Sequence, residues 1–224
     1  MRVVRKSLTC ARMRSMFAGK RFLVAVFTAT LVLFGVNAGI ATAAPEVCAG
    51  AYQGDSRLGP ETLPRPWQQP VGPLVAGYKR FGNLTPDAFL AKYWNGTSWN
   101  YPPQDGFWLK PDGEPIKYRR TLGANTKLDR FGSEYGGFLA YKGAHYSTRA
   151  IPPQSLNTFD PAYRCNYHAY KVTKAFAVWE GPIAPWFEQP GGGLQQKLDR
   201  ALVPGDGALN VAWLLSNGYL VRIN

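Results

Sequence analysis

Between Phe22 and Ala44 the chain carries no charged residue, and this run decides how much of the sequence is left to fold. Seven basic residues (Arg2, Arg5, Lys6, Arg12, Arg14, Lys20 and Arg21) precede it, FLVAVFTATLVLFGV forms its centre, and Ala41-Thr42-Ala43-Ala44 closes it. A basic start, an apolar centre and an A-x-A site describe a secretory signal, with cleavage after Ala43. An uncleaved anchor is the alternative, because about 20 apolar residues span a bilayer. Gly35, Asn37 and Gly39 weaken the run just before the small residues, which favours cleavage. No other segment is apolar enough to span a membrane, so no stable membrane association is expected once the signal is removed. Residues 44–224 are then enough for one domain.

The leader also corrects the charge. The whole chain has a formal charge of +12, which alone suggests a polyanion partner. Removing the seven leader bases from 26 leaves 19 against 14 acids, a modest excess. Cys10 leaves as well, so Cys48 and Cys165 remain, and two cysteines in an oxidising compartment most simply pair. With only His145 and His168 beside them, no zinc-ligand spacing exists, and no metal site is assigned. Two sequons, at Asn83 and Asn95, are acceptors for glycosylation if the host is eukaryotic.

Hydrophobic residues at 46% and aromatics at 14% exclude a disordered chain. Glycine and proline, at 24 and 18, argue against a long helical bundle. The expected fold is α+β, a single domain with a central, mainly antiparallel β-sheet, a few helices and a Pro-rich N-terminal arm. Residues 45–74 are that arm, irregular and fixed at one end if Cys48 is bridged. Thr85-Pro86-Asp87 has the signature of a helix start, predicting a helix to about Trp94 that turns Phe89, Leu90, Tyr93 and Trp94 inward. Residues 99–127 are broken by turn dipeptides and read as short strands or loops. The alternation from Tyr167 to Val178 reads as strand, with a hairpin break near Thr173-Lys174. Ala208–Ser216 reads as an amphipathic helix stopped by Asn217-Gly218, and Tyr219–Ile223 as a closing strand.

Several chemistries lack their residues. G-x-S-x-G, H-E-x-x-H, C-x-x-C and the P-loop are absent. Paired carboxylates drawn from Asp129, Glu134, Glu180 and Glu188 remain open, but no spacing favours them. What stands out is a scattered set: LDRFGSEYGGFL (128–139), RAIPP (149–153), YHAY (167–170) and GPIAPWFEQPGGGLQ (181–195). Arginines flanked by aromatics bind phosphate while a ring stacks on a base. Gly191-Gly192-Gly193 would let backbone approach a ligand before Gln195 presents an amide. Each piece alone also has an ordinary structural explanation, such as a salt-bridged arginine, a loop or a core tryptophan.

Taken together and in this order, the four motifs resemble the tuberculosis necrotizing toxin family of NAD glycohydrolases. GYKRFGNLTPDAFLAKYW (77–94) and YPPQDGF (101–107) further resemble its secreted fungal surface members. The resemblance divides the chain into a signal peptide (1–43), an N-terminal arm with a helical and irregular region (44–127) and a glycohydrolase core (128–224). It implies a secreted or cell-surface enzyme that hydrolyses the nicotinamide–ribose bond of NAD, and of NADP, with no cofactor required and no nucleic acid as partner. It implies catalytic roles for Arg130 and Gln195. It implies substrate binding by Phe131, Phe138, Arg149 and His168, and Trp186 is a further candidate for stacking. It leaves open a structural calcium, a homodimer and a proteinaceous inhibitor. ADP-ribosyl transfer through the same pocket and a non-enzymatic secreted binding module are the competing functions.

Overall fold

The computed structural model describes residues 46–224, so the secretory signal expected from the sequence lies outside the described residues. Seven strands carry the fold: β1 (Tyr118–Leu122), β2 (Lys127–Phe131), β3 (Phe138–Tyr141), β4 (Tyr167–Val172), β5 (Phe176–Pro182), β6 (Leu194–Lys197) and β7 (Leu220–Arg222). They form one sheet in the order β1-β5-β6-β3-β2-β4-β7, every pair antiparallel. The expected α+β class with an antiparallel sheet is what the chain adopts.

The strand pattern breaks at 173–175, as expected, but the two halves do not pair. β4 lies between β2 and β7, while β5 lies between β1 and β6, four places away. Four residues reach at most about 14 Å, whereas four strand spacings in a flat sheet need about 19 Å. The sheet therefore curls until the end of β4 and the start of β5 come within reach. Backbone N–H groups of Thr173 and Lys174 donate to the Tyr219 carbonyl, which draws the link toward β7 instead of into a hairpin.

Curling gives the sheet an inner core. Leu128, Leu139, Tyr170, Val172, Phe176 and Val178 pack there against Val211 and Leu214 of α2 (Val211–Ser216). That helix starts three residues later than the sequence suggests, because Asn210 is extended and caps it, its Oδ1 accepting from Trp213 N at 2.8 Å. The opposite face carries Phe131, Tyr167 and Ala169, covered by Val71, Leu74 and Val75 of the arm and by Tyr146 and Leu156. A third cluster surrounds α1 (Pro86–Tyr93), which Thr85 caps at Ala88 N. Phe89 and Tyr93 are buried in it, with Leu90 and Trp94 half-buried at its edge.

The arm is irregular, and it is pinned where the sequence suggested, by a Cys48–Cys165 disulfide that closes a separation of 117 residues. A loop of that length removes much of the unfolded chain's freedom. Replacing both cysteines with alanine is expected to lower the unfolding free energy by about 2–5 kcal/mol, measured by urea denaturation against the oxidised parent.

Candidate active site

On the face of the sheet away from α2 a cleft of about 460 Å³ opens between the strands and the segments at 101–106 and 149–155. Strand alternation decides what faces it. Phe138 and Ala140 of β3 and Gln195 of β6 share this face, and Ala140 is directly opposite Gln195 in the ladder. The small methyl group of Ala140 leaves the Gln195 side chain room. Gln195 sits on an inner strand with β3 on one side and β5 on the other, and is only 8% exposed. Its Nε2 donates to the Asp105 carbonyl at 2.8 Å. Among the described residues nothing donates to its Oε1.

The triple glycine before Gln195 works differently from the sequence expectation. A Cβ on Gly193 would lie 2.7 Å from the Thr148 carbonyl, and one on Gly191 2.6 Å from that of Ile183, so these residues admit the chain's own backbone and not a ligand. Gly193 N donates to Thr148 O at 3.0 Å, tying the entry of β6 to the 3-10 turn Tyr146–Arg149. The next residue, Ala150, has φ 47, a left-handed conformation that non-glycine residues rarely hold, and it lines the cleft.

Two arginines meet here with different environments. Arg149 is buried and ion-paired with fully buried Asp129, its Nη2 2.6 Å from Oδ1 and 2.8 Å from the Ala144 carbonyl. Its guanidinium lies over the Phe131 ring, and among the described residues Nη1 alone of its nitrogens has no hydrogen-bond partner. Asp129 also accepts from Tyr167 Oη and Gly143 N, so both of its oxygens are engaged. Arg130, at the end of β2, folds its guanidinium against Gly136, where a Cβ would come 2.3 Å from Nη2. Its Nε and Nη1 donate to the carbonyls of Gly132 and Phe138. Among the described residues no carboxylate pairs with it. Enclosure by protein draws its pKa below the ordinary arginine value, and Arg149 nearby adds to that. It is half-buried and stays cationic, and although Glu134 acts on its charge through space, among the described residues no carboxylate bonds to it.

The nearest acid on that side is already engaged. Glu134 accepts from both Nε and Nη2 of Arg222 and from Tyr170 Oη. Burial pushes its carboxyl up, but those donors outweigh it and hold it below the ordinary glutamate value. His168 belongs to this cluster. It lies opposite Arg130 in the β2–β4 ladder, with Nε2 3.0 Å from Asn166 Oδ1 and Nδ1 3.6 Å from Glu134, and does not line the cleft. Trp186 is also elsewhere, donating to the Asn100 carbonyl and packing edge-on against Tyr93. The cleft thus gathers Arg130, Phe131, Phe138, Arg149 and Gln195, and leaves out His168 and Trp186.

Among the lining residues that are not sequence candidates are two with functional side chains: Tyr101, 61% exposed beside the cleft, and Asp105. The run YPPQDG that carries both is the signal for them, since paired prolines and a following glycine fix a tight excursion. Among the described residues no three His, Cys, Asp or Glu side chains gather to hold a metal ion.

Residues 121–223 match the family model described as Tuberculosis necrotizing toxin. The chain is 47% identical over 192 residues, 80% of its own length and 77% of the relative's, to the conidial surface nicotinamide adenine dinucleotide glycohydrolase nadA of Aspergillus fumigatus. Among solved structures it resembles tuberculosis necrotizing toxin complexed with its immunity factor IFT, at 24% identity over 62% of this chain and 71% of that one, with a TM-score of 0.46.

The contrast between the arginines is measurable as stability. Arg149→Met strands the buried Asp129 charge and is expected to cost about 3–5 kcal/mol in urea unfolding. Arg130→Met removes an enclosed charge that has no carboxylate partner, and is expected to stay within about 1 kcal/mol of the parent.

Proposed function

The chain belongs to the tuberculosis necrotizing toxin family, and we propose that its cleft hydrolyses the N-glycosidic bond between nicotinamide and ribose in NAD, and in NADP, releasing nicotinamide and the ADP-ribose product. The enzyme acts as a secreted or cell-surface protein. The observation that carries this reading is the cationic Arg130, without a carboxylate partner, on the same cleft as the Gln195 amide. An enclosed guanidinium left unpaired by its own protein calls for an anionic ligand, and a pyrophosphate supplies one.

The chemistry suits such a sparse site. Nicotinamide departs from a cationic pyridinium as a neutral molecule, so its leaving needs no proton, and the ribose passes through an oxocarbenium-like state. Water adds at the anomeric carbon and loses a proton to solvent. The lining residues include no histidine and no thiol, and Asp105 is ion-paired with Lys197, which fits a reaction driven by positioning more than by acid–base exchange. Arg130 grips the pyrophosphate through its free Nη2, and Arg149 adds its free Nη1. Each such charged hydrogen bond is worth about 1.5–3 kcal/mol. Phe138, 40% exposed on β3, stacks on the nicotinamide side with Tyr101 near it, and Phe131 forms the floor under Arg149. Gln195 directs a ribose hydroxyl or the attacking water toward the anomeric carbon.

Purified protein is expected to release nicotinamide from NAD, followed by chromatography. Gln195→Ala should lower kcat by about 100-fold or more while the thermal midpoint stays put. Arg130→Met should raise KM by about 10–100-fold, the loss of one charged contact. Turnover at the parental rate in Gln195→Ala would take the amide out of the reaction.

A further inference from the structure

An amide can present either its N–H₂ or its oxygen to a ligand, and in this cleft the choice is made by a residue 90 positions away in sequence. The Asp105 carbonyl accepts from Gln195 Nε2 at 2.8 Å. A carbonyl takes only a donor, so this bond commits the N–H₂ end to the protein and leaves Oε1 as the end offered to the cleft. The Asp105 carbonyl is itself held from two sides. Gln104, Asp105 and Gly106 all have positive φ (49, 58 and 76), which turns the Asp105 peptide toward β6, and Ala184 N anchors the next carbonyl at 2.9 Å. The Asp105 side chain is then tied down by Lys197, its Oδ2 2.5 Å from Nζ. Lys197 and Gln195 are two residues apart on β6 and so share a face. One backbone excursion thus meets one strand at two points, an ion pair and an amide.

We propose that Asp105 and Lys197 are positioning residues for Gln195: their ion pair seats the Asp105 carbonyl on Nε2, so that Oε1 faces the cleft as a fixed acceptor and the group it meets is a donor, a ribose hydroxyl or the attacking water. The inference rests on the catalytic reading of Gln195 given above. It also gives the left-handed turn a purpose. Asparagine and aspartate tolerate that conformation better than other non-glycine residues, and the carboxylate adds the reach to Lys197. Released from Lys197, the turn relaxes, Nε2 loses its acceptor, and the amide samples both orientations.

The test uses NAD turnover by the intact protein. Lys197→Met and Asp105→Asn, which keeps a residue tolerant of the turn, are each expected to lower kcat about tenfold with KM within about threefold. The thermal midpoint should hold within about 2 °C, because this ion pair is partly exposed. Lys197→Arg, which preserves the pair, should restore most of kcat. Parental kcat in both Lys197→Met and Asp105→Asn, alongside an inactive Gln195→Ala, overturns the positioning role and leaves the site reading standing. A raised KM with unchanged kcat in Lys197→Met assigns that lysine to substrate contact and also overturns it. An active Gln195→Ala removes the amide from catalysis, and this inference with it.

Discussion

The carboxylate of Asp129 has no exposure to water, and the cleft is arranged around the need to satisfy it. Its oxygens accept from Arg149, Tyr167 and Gly143, which come from the turn after residue 145, from β4 and from the loop after β3. A buried charge without a partner is expensive, so these three segments are held at one point by the same ion. Arg149 in turn is pressed onto Phe131 and followed by left-handed Ala150, which sets one wall of the cleft. Asp129 is committed to this arrangement on one face of β2, and its sequence neighbour Arg130 starts from the other.

Adjacent residues on a strand point to opposite faces, and that alternation gives the two arginines their separate fates. Arg149 meets Asp129 on one face and becomes part of the framework. Arg130 leaves on the other and curls past the bare backbone of Gly136, the only kind of residue that leaves room for its guanidinium. Arg222 takes up Glu134, the remaining acid within reach, with help from Tyr170. The result is a fixed cation with no carboxylate partner among the described residues, beside acids that other cations already hold.

How much of this was legible in the sequence depends on the range of the interaction. The cap at Thr85 and the stop at Asn217-Gly218 are local, and their chemistry reads directly from the residues. The Cys48–Cys165 bridge was legible because only two of the three cysteines lie outside the expected leader. That β4 and β5 part instead of pairing was not, since their separation depends on the curl of a seven-stranded sheet, a property of no single segment. The motifs identified Arg130, Phe131, Phe138, Arg149 and Gln195, which do meet on one cleft. His168 of YHAY lies off the cleft beside Glu134 and Asn166, where burial pulls its pKa below the ordinary histidine value. Trp186 is half-buried at the edge of the cluster around α1, off the cleft. The triple glycine has a purpose that depends on Thr148 and Ile183, more distant in sequence or in turn geometry than any local pattern records.

A site whose leaving group departs unaided has little use for mobile acids and bases, and its demands fall on rigidity. Gln195 is placed on an inner strand, hydrogen-bonded on both sides, and its amide is anchored to backbone and not to another side chain. Arg130 is likewise fixed by two backbone carbonyls, and Arg149 by one carbonyl and a buried acid. Groups held by the main chain of a sheet need no reorganisation when charge develops on the ribose, which is the condition under which fixed dipoles stabilise a transition state most. The same reasoning gives the disulfide and the irregular arm a share in function. They cover the face of the sheet carrying Phe131 and Tyr167, and so hold the strand ends on which both arginines depend.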